Sequence, residues 1–195
     1  MTAFSRFFIV VSLFISLASQ SVFAEVTLPR VLSDGVVLQR DQAVPIWGWA
    51  DEDEEITVAL NGQQITSTTA ENGKWRAVLP RQQAGGPHTI EVKASNTVRI
   101  NDVYVGDVWL AAGQSNMQTS MARIQPAYPD EVATADEPLI RFYTKRPEYD
   151  FDAPREDYSD GEWLVTNTDN ITSFSGVAYF FAKNIHAKTG VPIGI

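Results

Sequence analysis

One serine of the chain stands where a nucleophile could act. In the segment VWLAAGQSNMQ, residues 108–118, an apolar run ends at Gly113, and Ser115 follows between Gln114 and Asn116. A hydroxyl at the end of a buried strand, close to the free backbone N–H groups of a following helix, meets the requirements of an acyl-transfer nucleophile. Serine is also a common N-cap residue of helices, so the residues alone leave two interpretations open, a nucleophile and a capping serine.

The residues around Ser115 do not form the nucleophile elbow of α/β-hydrolases. The G-x-S-x-G elbow needs a glycine two positions after the serine, where this chain has Met117. A serine nucleophile also needs a general base within hydrogen-bond reach. The sequence has two histidines: His88, predicted at the edge of a strand, and His186, predicted to face solvent from a helix. Neither is expected to be the base.

The first half of the chain, residues 25–101, has the pattern of short strands joined by turns. Its apolar runs, about four to eight residues long and rich in Val, Ile, Thr or Trp, are separated by Gly, Asn, Asp and Pro. Asn61-Gly62, between EITVAL and QQITST, is typical of a tight hairpin in which both turn residues have positive φ. No helical period interrupts this pattern. It predicts a small antiparallel β-sandwich domain over residues 25–101.

Beyond residue 101 the pattern changes to that of an α/β domain. VYVGDVWLAA is apolar at nearly every position, as in a parallel strand buried on both faces. A helix is predicted in SFSGVAYFFAKNIHAKTG, with serines suited to its N-terminus and Gly190 suited to its C-terminus. The apolar positions at helical spacing are Phe174, Val177, Phe181 and Ile185. Residues 102–195 are therefore predicted to be the beginning of an α/β domain.

The last strand, VPIGI at residues 191–195, predicts that the α/β domain is truncated in this sequence. So apolar a strand belongs in the interior of a sheet, and a sheet of two or three strands is too small to be buried on both faces. We therefore expect the chain to be a fragment of a longer protein. A natural C-terminal edge strand is the alternative.

The first 24 residues have the pattern of a secretory signal peptide. Arg6 precedes the apolar run FFIVVSLFISLA, and the small residues Val22 and Ala24 precede an expected cleavage site before Glu25. The apolar run is too short to span a bilayer comfortably, and a retained N-terminal anchor is the alternative. We therefore expect a periplasmic or extracellular protein, held together without disulfides because it has no cysteine.

The charge of the chain limits its partners. The formal net charge is −9, and loss of Arg6 with the signal peptide makes it −10. Nucleic acid and anionic lipid both attract clustered cations, so neither is an expected partner, and no membrane association is expected after signal cleavage. The acidic run at residues 51–55 is predicted to be a solvated loop rather than a metal site, since adjacent carboxylates do not converge on one ion without a turn.

The segment VGDVWLAAGQSNMQ resembles the first conserved block of SGNH-type esterases, in the variant where GQSN replaces GDS. More closely, the chain resembles the sialate O-acetylesterase family of carbohydrate esterases. The resemblance extends, in order and spacing, to LSDGVVLQRDQAVPIWGWA, the NGQ hairpin, GKWRAVLP, AGGPHTIEV and FSGVAYFFAKNIHAKTGVPIGI. It implies a β-sandwich domain followed by the first part of an SGNH hydrolase-like, flavodoxin-like α/β domain.

The same resemblance implies roles for the residues around Ser115. Ser115 matches the nucleophile of the family, and its backbone N–H would be one oxyanion donor. Gly113 matches the turn glycine, and Gln114 and Asn116 match flanking amides that shape the turn or line the pocket. The implied reaction removes an acetyl ester from an O-acetylated sugar or glycan through an acetyl-enzyme, and it needs no metal or organic cofactor.

The chain departs from the family in the groups that activate the serine. The family's catalytic histidine and its carboxylate partner lie in a D-x-x-H arrangement near the C-terminus, with a further oxyanion glycine and a block-three element. None of these positions has a match in this sequence. Serine is a poor nucleophile without a base, so the 195-residue chain is expected to be incomplete or weakly active by itself.

Tryptophans in the first half support a rival function. Trp47 and Trp49 alternate along one predicted strand and therefore share a face, and Trp75 follows in a later strand. Packing against the core is one explanation, and a platform on which sugar rings stack is another, which predicts a non-catalytic exported carbohydrate-binding β-sandwich protein. A sandwich that only braces the catalytic half is the third. The charged loop at residues 144–161 is expected at the rim of the site, and its spacing nominates no aspartate as the triad acid.

Overall fold

The computed structural model describes residues 25–146 and 148–195. The predicted signal peptide, residues 1–24, lies outside them. Among the described residues, no helix has the length and apolar character needed to cross a bilayer.

The described residues form strands and mostly short helices. The strands are β1 (Val37–Gln39), β2 (Val44–Trp49), β3 (Glu55–Leu60), β4 (Gln63–Thr69), β5 (Lys74–Leu79), β6 (Gly85–Lys93), β7 (Thr97–Val108), β8 (Asp136–Thr144), β9 (Glu162–Asn167) and β10 (Ile193–Gly194). The helices are α1 (Ser115–Gln118), α2 (Met121–Ile124), α3 (Pro129–Ala133) and α4 (Gly176–Thr189), with 3₁₀ turns at Gln125–Ala127 and Ile171–Ser173.

One mixed sheet runs through the molecule. Its strands lie in the order β4-β3-β6-β7-β10-β8-β9, and β1 pairs with β7 outside that order. β7 is antiparallel to β6 over most of its length and parallel to β1 and β10 near its end. β2 and β5 form a second, two-stranded antiparallel sheet. The fold is therefore a mixed, sheet-dominated α/β arrangement.

β7 connects the two sequence patterns. It continues from Thr97 to Val108 without a break, so it crosses the predicted domain boundary between residues 101 and 102. Its first part pairs with strands of the first half, and its end pairs with β10 of the second half. The division of the chain at residue 101 stays a prediction, and the two halves share this strand.

The predicted hairpin between β3 and β4 is confirmed. Leu60 pairs with Gln63, so the loop consists of two residues. Asn61 has φ 52° and Gly62 has φ 81°, the positive values that a two-residue turn of this hand requires.

The apolar side chains form two cores. The first joins the two sheets and includes Ile46, Ile56, Trp75, Ile90 and Ile100. The second packs β8 and β10 against α4 and includes Ile140, Phe142, Phe174, Tyr179 and Ile193. Within the second core, the rings of Phe142 and Phe174 stack with centroids 4.2 Å apart. This stack holds the start of α4 against the end of β8.

The buried face of α4 differs from the predicted apolar stripe. Ala178, Tyr179 and Ala182 are buried, whereas Val177 is 53% exposed and Phe181 is 40% exposed. The stripe was wrong for these two residues because the helix turns a different face, Ala178, Tyr179 and Ala182, toward the second core. The two alanines on this face let the helix lie close to the strands, and Val177 and Phe181 project outward.

Arg141 ties β8 to the strands of the first half. Its side chain is almost fully buried, and its Nη1 donates to the carbonyl oxygens of Gly35 at 3.1 Å and Asp102 at 2.9 Å. Nη1 also pairs with the Asp102 carboxylate at 2.8 Å, and the guanidinium lies 4.5 Å from the ring centroid of Tyr104. The arginine therefore fixes the position of β8 relative to β7.

Candidate active site

The turn that carries Ser115 follows β7 after the loop 109–114. β7 ends at Val108, so the prediction of a strand buried on both faces over VYVGDVWLAA was wrong beyond that residue, where Trp109 and Leu110 are exposed. The backbone N–H of Trp109 donates to the carbonyl of Gly194 at 2.8 Å, which holds the end of β7 beside β10. α1 begins at Ser115, and its N-cap is Gln114, whose side chain makes no capping hydrogen bond. Ser115 is thus the first residue of the helix and not its N-cap, so the capping interpretation does not apply.

Gly113 is required by the close approach of α1. A Cβ atom at this position would lie 2.9 Å from the Cβ of Met117, closer than two carbon atoms pack without a shift. Gln114, Ser115 and Asn116 are all exposed. The sequence-predicted residues therefore lie together on one exposed turn.

The start of α4 packs against this turn. The backbone N–H of Gly176 donates to Thr119 at 2.9 Å, and the N–H of Met121 donates to Phe174 at 2.8 Å. The hydroxyl of Ser175 lies 3.4 Å from the sulfur of Met117 and also accepts a hydrogen bond from Ala178, which caps α4. These contacts hold the start of α4 against the segment that carries Ser115.

A cavity of about 510 Å³ lies beside the turn. It is lined by Gly113 and Met117 from the turn, by Tyr143 from β8, by Ser175 from the start of α4 and by Ile195. Sequence reasoning missed Tyr143 and Ser175 as lining residues. The predicted helix start marked Ser175 as a capping residue, although not as a residue of this cavity. The sequence contains no signal that β8 lies beside this turn.

Tyr143 cannot serve as the missing base. Its hydroxyl is buried and has no hydrogen-bond partner among the described residues. Burial, followed by the nearby Asp157 carboxylate, raises the pKa of Tyr143 to about 12. The phenol is therefore protonated at neutral pH and has no capacity to accept the serine proton.

Neither histidine lies at Ser115. His88 Nδ1 is 3.0 Å from the side-chain amide of Asn61, at the far hairpin. His186 was predicted to face solvent, but it is half-buried and its Nδ1 is 2.7 Å from the Val191 carbonyl oxygen, because the chain turns at Gly190 and brings Val191 beside the end of α4. In residues 25–146 and 148–195, no side chain is hydrogen-bonded to the Ser115 hydroxyl.

Most carboxylates of the loop before β9 are engaged with cations or backbone groups. Asp150 pairs with Arg155 at 3.0 Å, and both oxygens of Asp157 accept from the backbone N–H of Arg30 at 3.1–3.2 Å. The described part of the chain contains no group of three or more His, Cys, Asp or Glu residues arranged to hold a metal ion.

The three tryptophans of the first half occupy different environments. Trp75 is 3% exposed and belongs to the first core. Trp47 is 36% exposed and shares the outer face of β2 with Trp49, as predicted from their alternation. The Trp49 Nε1 donates to the carboxylate of Glu156 at 3.3 Å. Core packing therefore explains Trp75 and leaves Trp47 available at the surface.

No family model matches the chain. It is 30% identical to the sialate O-acetylesterase of Homo sapiens over 184 residues, covering 84% of this chain and 35% of that protein. It is 30% identical to the sialate O-acetylesterase of Mus musculus over 208 residues, covering 95% of this chain and 38% of that protein. The chain thus spans little more than a third of the curated relatives it matches.

A solved structure shares the fold. The crystal structure of a carbohydrate acetylesterase from Xanthomonas citri superposes with a TM-score of 0.82 at 40% identity, covering 88% of this chain and 39% of that one. Sequence and fold agree on the same kind of relative. The chain is a homologue of the sialate O-acetylesterases.

Proposed function

We propose that this chain is part of a secreted serine esterase that removes acetyl groups from O-acetylated sugars, with Ser115 as its nucleophile. The observation that carries the proposal is the position of Ser115, exposed on the first residue of α1 beside a cavity, in a homologue of proteins named as acetylesterases. Export rests on the predicted signal peptide at residues 1–24.

The proposed reaction uses the turn itself. The Ser115 hydroxyl attacks the acetyl carbonyl carbon, and the backbone N–H of Ser115, among the first N–H groups of α1 that have no helical partner, donates to the oxyanion. The sugar oxygen then leaves with a proton, and water hydrolyses the acetyl-serine to acetate. Gly113 allows the tight turn, and Gln114 and Asn116 flank the acetyl group.

The family resemblance matches no residue of this sequence to the general base. The family resemblance implies a D-x-x-H pair, and the two histidines present are bonded to Asn61 and Val191 instead. We therefore propose that the described fold is a β-sandwich joined to part of an SGNH-type domain, and that the 195-residue chain hydrolyses esters slowly by itself.

Chemical rescue tests the assignment of Ser115. Imidazole added to the chain supplies a diffusible base, so it should accelerate release of 4-nitrophenol from 4-nitrophenyl acetate, and mass spectrometry should find the acetyl group on Ser115. Ser115→Ala should reduce the rate to that of imidazole alone, whereas Ser95→Ala, at an exposed serine between β6 and β7, should keep it. Equal rescue in the Ser115→Ala chain would refute the nucleophile.

A further inference from the structure

Two surface clefts meet at Trp47. One, of about 590 Å³, lies between Trp47 and the loop of residues 148–158. The other, of about 550 Å³, lies over β2 and β5. Trp47 and Glu156 line both clefts, so the two adjoin each other. We call them together the outer groove.

The first cleft of the outer groove also adjoins the cavity beside the turn that carries Ser115. Lys145 lines both the first cleft and that cavity. Its ammonium lies 4.9 Å from the ring centroid of Tyr158, which lines the first cleft as well. Three neighbouring depressions, joined by shared lining residues, therefore lie between the turn of Ser115 and Trp47.

The polar walls of the groove are held in place by ion pairs. Glu156 pairs with Lys74 and accepts from the indole N–H of Trp49, so it is fixed beside Trp47. Arg155 pairs with Glu148 at 2.6 Å and with Asp150 at 3.0 Å. These contacts order the loop while leaving carboxylate and guanidinium groups facing the cleft that they line.

The side chains of the groove suit a sugar chain. An exposed indole face packs against the C–H face of a pyranose ring, and carboxylates and guanidinium groups hydrogen-bond its hydroxyls. The first cleft has four carboxylates, Glu148, Asp150, Glu156 and Asp157, against two cations, Lys145 and Arg155. The second cleft adds Glu71, Lys74 and Arg76, so the outer groove as a whole has five carboxylates and four cations. The excess of negative charge lies in the first cleft, and there it favours a neutral sugar over an anionic one.

We propose that the outer groove binds a neutral glycan chain several rings long, with one ring stacked on Trp47, and that this chain leads toward Ser115. The identification of the ligand as a glycan rests on the proposed function, whereas the arrangement of the adjoining clefts does not. The substrate class is then a neutral acetylated polysaccharide or oligosaccharide and not a free sialic acid.

Calorimetric titration of the full chain tests the proposal. The probes are xylohexaose, cellohexaose and mannohexaose as neutral chains, and N-acetylneuraminic acid as the anionic sugar. At least one neutral hexasaccharide should bind with a Kd below about 10 mM. Trp47→Ala should weaken that binding about tenfold, and Trp47→Phe, which keeps an aromatic face, should retain most of it.

Matched variants separate the groove from the catalytic turn. Trp109→Ala removes an exposed tryptophan that lines neither cleft, and it should leave binding unchanged. Ser115→Ala should also bind normally. Unfolding temperatures of all variants show whether a loss of binding reflects a loss of structure.

The outcomes distinguish the groove from the esterase. Absence of binding for all three hexasaccharides, binding that survives Trp47→Ala, or tighter binding of N-acetylneuraminic acid would each overturn the groove proposal. Binding that depends on Trp47, in a chain whose imidazole rescue ignores Ser115, would keep the groove and reject the esterase. Imidazole rescue that depends on Ser115, without hexasaccharide binding, would keep the esterase proposal and reject the groove proposal.

Discussion

At the scale of single residues, the sequence predicted the candidate nucleophile but not the residues that lie around it. Ser115 follows an apolar strand and a glycine, a local pattern that can be seen in the letters. Ser175 and Tyr143 lie beside the same turn only because α4 and β8 fold against it. The sequence around Ser175 or Tyr143 contains no signal that either residue lies beside Ser115. Turns can be predicted from a short segment, whereas tertiary contacts of this kind cannot.

Gly113→Ala tests how tightly the turn is fixed. The new methyl group would lie 2.9 Å from the Cβ of Met117, and neither backbone segment can yield without moving Ser115. We expect imidazole-rescued hydrolysis to fall about tenfold or more, since small displacements of a reacting atom are costly. The unfolding temperature should change little because the turn is exposed.

Ala112→Ser is the matched control for that variant. Ala112 is an exposed neighbour on the same loop, so a serine there adds a polar atom at the surface. Its rescued rate should equal that of the unmodified chain. If Gly113→Ala also kept the full rate, the close approach to Met117 would have no role in placing Ser115.

At the scale of elements, the sequence predicted α4 and mistook its buried face. Helical spacing of the largest apolar residues favoured a stripe through Val177 and Phe181, whereas Ala178 and Ala182 face the sheet. The apolar spacing did not identify this face, because two of its buried residues are alanines and the third is Tyr179, whose hydroxyl made it a weaker apolar signal than valine or phenylalanine. Caps were predictable: Gly190 ends α4 with φ 67°, as its position after the helix suggested.

A pair of glutamate substitutions tests the orientation of α4. Ala182→Glu places a carboxylate in the second core and should lower the free energy of unfolding by about 3 kcal/mol or more. Val177→Glu, on the exposed face, should change it by about 0.5 kcal/mol or less. Denaturant titration of both variants measures the difference. Equal destabilisation would mean that the buried face had been assigned incorrectly.

The joint between β8 and β7 depends on Arg141. Arg141→Met keeps much of the apolar stem but removes donors to Gly35 and Asp102 inside the fold. The two carbonyls lose a buried partner, so we expect a loss of about 2–3 kcal/mol in the free energy of unfolding. Arg146→Met, at a largely exposed ion pair with Asp160, should cost less than about 0.5 kcal/mol in the same titration. Similar losses for both would refute a special role for Arg141.

At the scale of the whole molecule, the halves predicted from sequence are linked more closely than two patterns suggest. The sequence changes near residue 101 from a pattern of short strands to a pattern of strand and helix. This change does not indicate whether one strand belongs to both halves. β7 does serve both, and Arg141 ties β8 to it. We therefore interpret the two cores as one cooperative unit in unfolding.

The acid stability of the molecule follows from its paired carboxylates. Burial alone would raise the pKa of Glu131, but hydrogen bonds from Lys183 and Tyr179 and the charge of Lys183 bring it below its ordinary value. The pKa values of Glu54, Glu91, Asp150, Glu156 and Asp160 are also lowered, mainly by hydrogen bonds from neighbouring groups. All of these groups bind protons more readily in the unfolded chain.

The direction of the pH effect follows from that difference. A carboxyl whose pKa is lowered by folding contributes its full stabilisation above the unfolded pKa, and the contribution is lost as the pH falls through the folded pKa. The free energy of unfolding should therefore decrease steadily from about pH 5 to about pH 3. Glu131→Gln and Lys183→Met should each make this decrease shallower, because the first removes the carboxyl and the second removes its main donor. Urea titrations at successive pH values measure the slope, and an unchanged slope in both variants would show that the Glu131–Lys183 pair contributes nothing to acid stability.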